Sequence, residues 1–248
     1  MQDFKISLIT VAYNAQNTIE RCITSVLEQK FKNIQYIIID GGSTDNTIQI
    51  INKYKGKIDF FQSGPDDGIY DAMNKGITRA NGNIVGTLNA DDLFANDEVL
   101  NDVAIAFANV QTSILYGDLD YINQDDKVIR KWRSGRYKNG MFNLGWMPPH
   151  PTFYCRRELF EELGNYKLDY GSAADYELML RFIHFNKTHV HYLRKVMVKM
   201  GIGGISNKSL GNRVQALRFD LKAMRNNDIS LPVITIFFKP LRKMAQFF

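Results

Sequence analysis

Two adjacent carboxylates, Asp91 and Asp92, are the residues of this chain best suited to binding a divalent cation. They follow Ile84 to Leu88, an apolar run typical of a buried strand. Sheet enzymes bind ligands beyond the carboxyl ends of their strands, and paired hard oxygens at such a point favour a cation that carries phosphates. Aspartates are also common caps and first-turn residues of helices. The pair alone favours the helix-terminus reading, so the case for a cation depends on its neighbours.

The first half of the chain alternates predicted strands and helices. Apolar runs predict strands at 6–11, 36–39, 58–61 and 84–88. Apolar residues at helical spacing predict helices at 19–27, 48–54, 69–80 and 99–107. Such alternation is typical of a largely parallel sheet that helices cover on both faces.

Beyond about residue 118 the pattern is less regular. Strands are predicted at 114–116 and 152–155, with a hairpin that pairs 121–122 with 128–129. Helices are predicted at 157–163, at 174–185 and in a segment marked by Val214, Leu217, Leu221 and Met224. Pro240 is expected to interrupt any helix near the C-terminus. The predicted fold class is α/β, with a Rossmann-like, mostly parallel central sheet flanked by helices, a small antiparallel hairpin and a C-terminal helical segment.

Composition excludes several classes of protein. With 248 residues and 45% hydrophobic content, the chain can bury a large core without staples. Cys22 and Cys155 stand in apolar patterns without metal-ligand spacing, which predicts buried reduced thiols. The net charge of +5 arises in residues 208–248, where eight Lys or Arg outnumber two Asp. The rest is nearly neutral, with 23 basic and 24 acidic residues, so nucleic acid is not a predicted partner.

The two ends of the chain carry the signals for its location. Residues 1–5 lack the basic start and apolar core of a signal peptide, and no apolar run approaches the length of a membrane span. We therefore expect a cytoplasmic protein. Residues 234–248 mix aromatic and basic residues, which predicts peripheral contact with the inner face of the membrane. The alternative is a C-terminal element packed on the domain or on another subunit.

Polar residues follow three of the predicted strands. Tyr13 comes after the first strand, Asp40 ends the second, and Asp91-Asp92 follow the fourth. The carboxyl ends of parallel strands meet at one crevice, so these side chains are expected to line a common site. Tyr13 is suited to stacking on a base, and Asp40 to accepting a hydrogen bond from a base or ribose. Packing is the alternative for Tyr13, and capping the turn at Gly41 is the alternative for Asp40.

Three segments, 9–14, 39–45 and 89–92, together resemble the nucleotide-binding half of inverting family-two glycosyltransferases with the GT-A fold. Two later segments, 150–153 and 174–178, are similar to the acceptor-side segment and the general-base helix of bacterial surface-polysaccharide members. Each motif is short, but their order and spacing make the combination specific.

The resemblance covers almost the whole chain and implies how it is divided. A GT-A glycosyltransferase domain would occupy 1–207. Its nucleotide-sugar-binding half would be 1–118, and its acceptor and general-base half 119–207. A basic amphipathic extension would follow at 208–248.

The resemblance also implies a role for each matching residue of the donor side. Val11 and Tyr13 would line the pocket for the base, and Asp40 would accept a hydrogen bond from the base. Uracil is the base that suits this contact best, through its N3–H. Asp91 would contact the ribose or the sugar. Asp92 would coordinate Mg²⁺ or Mn²⁺, which bridges the diphosphate and neutralises the charge of the leaving group.

Three further residues complete the predicted site. Asp175 is the predicted general base, because inversion by direct displacement needs one carboxylate to take the acceptor hydroxyl proton. Many relatives have an acidic residue just before this aspartate, whereas Ala174 stands here. Asn74 is a predicted donor contact. His150, between two prolines, is a predicted contact on the acceptor side, with loop packing as its alternative.

The sequence thus predicts an inverting, metal-dependent glycosyltransferase of cell-surface polysaccharide biosynthesis. Its donor would be a nucleotide sugar, and a UDP-sugar fits the predicted site best. Its acceptor would be a glycan or a lipid-linked molecule. No Gln-x-x-Arg-Trp motif follows Asp175, which favours a non-processive enzyme. Two alternatives remain. A sugar nucleotidyltransferase would favour a glycine-rich basic loop after the first strand, and a noncatalytic glycan-binding or nucleotide-binding protein would have the same fold.

Overall fold

Four parallel strands form the half of the sheet that holds the N-terminal residues. The computed structural model describes residues 4–201, 210–244 and 246. Its first strands, in the order β3-β2-β1-β4, are β1 (Ile6–Ala12), β2 (Ile34–Asp40), β3 (Phe60–Ser63) and β4 (Ile84–Thr87). All four match predicted strands. β3 begins at Phe60, later than predicted. Just before it, the Asp59 side chain accepts the N–H of Tyr36 in place of a backbone carbonyl, so the ladder does not extend further back.

Helices cover both faces of this parallel half, as the alternating pattern predicts. The helices are α1 (Ile19–Leu27), α2 (Thr47–Lys53), α3 (Ile69–Arg79), α4 (Val99–Phe107), α5 (Glu158–Leu163), α6 (Ala174–Met179, continued by π-helical residues Leu180–Phe185), α7 (Leu210–Asn226) and α8 (Pro232–Met244). Side chains of β1 alternate between the two faces. Ile9 and Val11 pack in one core cluster with Met73 of α3, whereas Leu8 packs in the other with Ile23 of α1.

The remaining strands extend the same sheet in mixed directions. They are β5 (Asp92–Phe94), β6 (Ile114–Ile122), β7 (Val128–Trp132), β8 (Tyr154–Arg156) and β9 (Val190–Gly201). The order continues β4-β8-β6-β9-β5, with β7 paired to β6. β8 runs antiparallel to both neighbours, whereas β6 and β9 are parallel. The predicted hairpin is confirmed as the antiparallel pair of β6 and β7.

β6 joins two segments that the sequence predicts as separate strands, 114–116 and 121–122. The apolar pattern stops between them because this part of the strand carries polar residues with partners of their own. Asp118 is buried, and its Oδ1 accepts hydrogen bonds from the N–H of Ser134 and the hydroxyl of Tyr192, each at 2.8 Å. The strand therefore continues where hydrophobic periodicity does not.

The helices α7 and α8 pack on the half of the chain that contains α6. The Phe219 ring of α7 lies so close to Gly171 that a Cβ there would overlap it. Lys239 of α8 lies with Nζ 2.8 Å from Oδ1 of Asp220 and 3.6 Å from the centroid of the Tyr176 ring. The cation thus ties α8 to both α7 and α6.

The expectation that Pro240 interrupts a helix is wrong, because α8 runs through it. A proline in a helix interior removes one backbone hydrogen bond and crowds the preceding turn. Side-chain contacts on both sides of the proline hold α8 on the protein and offset this cost. Lys239 precedes it, and Nε of Arg242 donates to the Leu144 carbonyl at 2.8 Å after it.

Three further expectations concern the thiols, the membrane and the domain boundary. Cys22 and Cys155 are buried and free, as predicted. Within the described ranges, no helix is long and apolar enough to cross a membrane. The predicted boundary between 207 and 208 falls in 202–209, outside the described residues, so the division of the chain stays a prediction.

Gly86, in the middle of β4, offers a test of this packing. A Cβ at Gly86 would overlap the buried Tyr154 ring of β8. We expect Gly86→Ala to lower the free energy of unfolding by about 1–3 kcal/mol, because the core must shift to admit it. Gly56→Ala is the matched control, since no atom lies within 4 Å of a Cβ there. Chemical denaturation measures both, and equal stability of the two variants would contradict the packing described.

Candidate active site

The loops that follow β2 and β4 are both hydrogen-bonded to the end of β1. The N–H of Gly41 donates to the Ala12 carbonyl at 2.9 Å, and the N–H of Ala90 donates to the Val11 carbonyl at 3.2 Å. The predicted donor-side residues of the three loops therefore lie along one edge of the sheet, as their positions after parallel strands predict.

Tyr13 and Asn14 form the start of the loop that follows β1. The Tyr13 side chain is 61% exposed, so it is presented to solvent and does not pack in the core. Asn14 adopts a positive φ of 48°, which asparagine tolerates better than most residues. Its N–H donates to Oγ of Ser43 at 2.8 Å, and its Oδ1 accepts the N–H of Thr44 at 2.9 Å. The loop after β2 thus holds the loop that presents Tyr13.

Asp40 is only 1% exposed, and much of its hydrogen-bonding capacity is used within the protein. Its Oδ2 accepts the N–H groups of Gly42 at 3.1 Å and Ser43 at 2.9 Å, and the hydroxyl of Ser63 at 2.7 Å. Its Oδ1 accepts the Ser43 hydroxyl. Asp40 therefore caps the turn, which was the alternative for this residue. Its predicted contact with a base stays a prediction, for which Oδ1 retains one lone pair.

Asp92 begins β5 and is buried, with 1% of its surface exposed. Its Oδ2 accepts a hydrogen bond from Nδ2 of Asn89 at 3.2 Å, whereas Oδ1 has no hydrogen-bond partner. Burial raises the pKa of Asp92 well above its usual value, and the charge of Asp91 raises it further. Asp91 is exposed, although the surrounding protein still desolvates its carboxylate and raises its pKa.

The oxygens around Asp92 fit a divalent cation. Oδ1 of Asp92 and Oδ1 of Asn89 are both buried acceptors without partners, and such orphaned oxygens are the ligand type that Mg²⁺ and Mn²⁺ prefer. Among the described residues, no cluster of three His, Cys, Asp or Glu side chains could hold a metal ion. A cation here would therefore take its other ligands from donor phosphates and water.

Asp175 stands in the first turn of α6, and its Oδ1 accepts the N–H of Tyr176 at 2.7 Å. The charge of Asp175 acts on three aromatic side chains. Burial raises the pKa values of Tyr70 and Tyr166 well above the usual range, and the Asp175 charge adds to both shifts. Burial lowers the pKa of His150, which the same charge opposes. Burial therefore disfavours the charged form of His150, whereas the Asp175 charge favours it.

His150 and Asn74 both contact Tyr166. Nε2 of His150 lies 2.8 Å from the Tyr166 hydroxyl. The Asn74 amide pairs with the Tyr166 backbone, donating to its carbonyl at 2.8 Å and accepting its N–H at 3.0 Å. The structure thus places His150 against Tyr166, while the predicted donor contact of Asn74 and the acceptor contact of His150 stay predictions.

Sequence reasoning missed several residues of this site. Ser43 and Ser63 hold Asp40, and Tyr70 and Tyr166 line the surroundings of Asp175. Ser63, Tyr70 and Tyr166 lie outside the segments that carry the family resemblance. Ser43 and Asn89 lie inside two of these segments, 39–45 and 89–92, and the aspartates close to them could have drawn attention to both.

A family model described as glycosyl transferase family 2 matches residues 7–164. The chain belongs to glycosyl transferase family 2. The matched range includes Asp40, Asp91 and Asp92 but ends before Asp175, so the general base stays a prediction. Membership makes the protein a glycosyltransferase and disfavours both a sugar nucleotidyltransferase and a noncatalytic protein.

Two relatives cover most of this family-two glycosyltransferase. An uncharacterised glycosyltransferase of Mycobacterium tuberculosis is 31% identical in an alignment of 186 positions that covers 71% of this chain and 68% of the relative. A PGL/p-HBAD biosynthesis glycosyltransferase of Mycobacterium bovis is 28% identical in an alignment of 211 positions that covers 81% of this chain and 78% of the relative.

Solved structures resemble this glycosyltransferase over nearly its whole length. Staphylococcus aureus TarS in complex with UDP-GlcNAc superimposes with a TM-score of 0.72 at 19% identity, covering 97% of this chain and 73% of that one. The mannosyltransferase PcManGT of Pyrobaculum calidifontis, in complex with GDP-Man and Mn²⁺, gives 0.69 at 15% identity, covering 98% and 74%. At these identities the likeness establishes the fold, which is of the predicted GT-A type.

The buried carboxylate of Asp92 is expected to make the stability of the protein depend on pH. Its folded-state pKa is raised, so the folded state binds the proton more tightly and loses stability as pH rises above about 4. We expect metal-free Asp92→Asn to exceed the parent in unfolding free energy at pH 8 by at least about 1 kcal/mol, since the buried charge is gone. The difference should shrink as pH falls. Denaturation in EDTA at several pH values measures it.

Asp97→Asn is the control, because Asp97 is exposed and pairs with Lys30 at 3.4 Å. Mn²⁺ with UDP should raise the melting temperature of the parent and of this control, but not that of Asp92→Asn. A metal-dependent shift that survives in Asp92→Asn would contradict the cation site.

Proposed function

We propose that this enzyme is an inverting, metal-dependent glycosyltransferase that moves a sugar from a nucleotide donor, a UDP-sugar, to a glycan or lipid-linked acceptor in cell-surface polysaccharide biosynthesis. The observation that carries the proposal is the buried Asp92, whose Oδ1 has no hydrogen-bond partner, on the sheet edge that also holds Asp40. The M. bovis relative is named for PGL/p-HBAD biosynthesis, which supports a role in making surface glycoconjugates.

The donor would lie along the carboxyl ends of β1, β2 and β4. The exposed Tyr13 ring offers a stacking surface for the base beside Val11, and Oδ1 of Asp40 would accept the N3–H of uracil. TarS was solved with UDP-GlcNAc, and PcManGT with GDP-Man and Mn²⁺, so nucleotide sugars are the donor class of both structural neighbours. Asp91 would contact the ribose or the sugar. Mg²⁺ or Mn²⁺ at Asp92, when bound, would neutralise the diphosphate.

Asp175 would act as the general base. Its carboxylate would take the proton of the acceptor hydroxyl while that oxygen attacks the anomeric carbon from the face opposite the diphosphate, which inverts the configuration. Ala174 precedes it, and the nearby Glu177 is buried in an ion pair with Arg181 at 2.9 Å. Asp175 would therefore work without a second carboxylate. His150, on which the Asp175 charge acts, would face the acceptor.

Asp175→Asn is the direct test of the catalytic assignment. We expect it to lower kcat for transfer from a UDP-sugar by about 100-fold or more, because amide replaces the only proposed base. Binding of UDP with Mn²⁺, followed by thermal shift, should stay within twofold in dissociation constant. Glu158→Gln, at the start of α5, is a control that alters an acidic residue outside the site. Undiminished turnover in Asp175→Asn would contradict the assignment.

We also propose that α8 makes peripheral contact with the inner face of the membrane. The side of α8 that faces the protein is held by the buried Thr235 and by Lys239. On the other side, Ile234, Phe237 and Leu241 are exposed. Phe237 is the most exposed of these three side chains, at 67%. Exposed apolar side chains on a helix with a basic excess suit the interface of an anionic bilayer.

Vesicle flotation tests the contact. Phe237→Ser with Leu241→Ser should lower binding to anionic vesicles by roughly tenfold or more, because each lost side chain removes apolar burial. Ile105→Ser is the control, since Ile105 is an equally exposed apolar residue on α4. Equal flotation of the double variant would contradict membrane contact. A parent dimer that becomes monomeric in the double variant would instead identify the surface as a subunit interface.

A further inference from the structure

Tyr166 lies between α5 and α6, and its backbone is held from two sides. The Asn74 amide of α3 makes the paired hydrogen bonds to its N–H and carbonyl. From the other side, the Arg181 guanidinium donates to the carbonyls of residues 163–165, with distances of 2.8 Å to the second and third. Arg181 is itself fixed by the buried carboxylate of Glu177. The position of Tyr166 is therefore set by two anchored side chains.

The side chain of Tyr166 belongs to a group of three aromatic side chains that are close enough to Asp175 for its charge to act on each of them. Its hydroxyl contacts Nε2 of His150 at 2.8 Å, and its ring centroid lies 5.4 Å from that of Tyr70. Tyr70 and His150 also meet edge to face, with centroids 6.5 Å apart. The three rings make a closed aromatic group in which each member restrains the other two.

α3 connects this aromatic group to the donor side. Gly76 lies against Ile9 of β1 so closely that a Cβ would overlap the Ile9 side chain, so helix and strand are in direct contact. Asn74 stands on the same helix, and Tyr70 belongs to its first turn. The end of β1 leads to Tyr13 and is hydrogen-bonded to the loops of the donor edge. A continuous set of contacts therefore runs from that edge to Tyr166.

We infer that Tyr166, mounted on Asn74, is a positioning residue that fixes the place of Asp175 relative to the donor edge. This inference rests on the proposed function, because it gives Asp175 the role of base. It also assigns Asn74 differently from the donor contact predicted for it, since both polar atoms of its amide are used on the Tyr166 backbone. The reaction rate is sensitive to how a catalytic group is held in place, because a displacement of that group by about 1 Å can cost roughly 100-fold in rate.

Two substitutions test the inference. Tyr166→Phe removes only the hydroxyl that contacts His150, and Asn74→Ala removes the backbone mount. We expect kcat for UDP release from UDP-N-acetylglucosamine, or from the UDP-sugar with the largest thermal shift, to fall about tenfold in each. The dissociation constant of UDP with Mn²⁺ should stay within twofold. Tyr54→Phe, which removes a hydroxyl bonded to Glu20 at 3.0 Å, is the control and should keep the parent kcat.

The decisive measurement repeats Tyr166→Phe in the Asp175→Asn background. If Tyr166 acts through Asp175, its substitution should cost little there, because the group that it positions is already lost. An equal loss in both backgrounds would overturn the inference, and so would unchanged kcat in Tyr166→Phe. Weaker UDP binding by Asn74→Ala at unchanged kcat would restore Asn74 as a donor contact. Should that variant not fold, Tyr166→Phe alone decides. A parent enzyme without turnover would contradict the proposed function instead, before any variant is compared.

Discussion

The hydrogen bonds at the end of β1 are the constraint on which the rest of the site depends. They join the loop after β2 to Ala12 and the loop after β4 to Val11, so three loops leave the sheet at one place. Parallel pairing of β1 with both neighbours makes this inevitable, because strands that run in one direction end at one edge. Tyr13, Asp40 and Asp92 are therefore brought together by the backbone, before any contact between their side chains is considered.

Two buried carboxylates of this edge, Asp40 and Asp92, are treated in opposite ways by the fold. Asp40 is satisfied by amides and hydroxyls of its own loop and of Ser63, so its burial costs little and it makes the edge rigid. Asp92 and its neighbour Asn89 keep buried oxygens without partners, which costs free energy unless a ligand binds them. A carboxylate that carries this cost next to a carboxylate whose oxygens both have partners has the property expected of a ligand site.

The periodicity of apolar residues predicted the parallel half of the sheet and the helices that cover it. The polar residues that follow the predicted strands predicted the donor edge. These features depend on residues close in sequence, whose pattern records which face is buried. β5 and β9 were missed, since β5 has three residues and β9 carries basic side chains among its apolar ones. The surroundings of Asp175 could not be predicted either. Asn74 meets Tyr166 across 92 positions of sequence, and no local pattern encodes such a contact.

The second half of the chain is positioned by polar contacts more than by the packing that the periodicity of its apolar residues predicts. The buried ion pair of Glu177 and Arg181 is stable only because the guanidinium also satisfies the carbonyls of the loop before Tyr166. Removing one partner would leave a buried charge, so helix, ion pair and loop must form together. The same loop then receives Asn74 from α3. The helix that carries Asp175 is thus joined to α3 through the polar contacts of this loop.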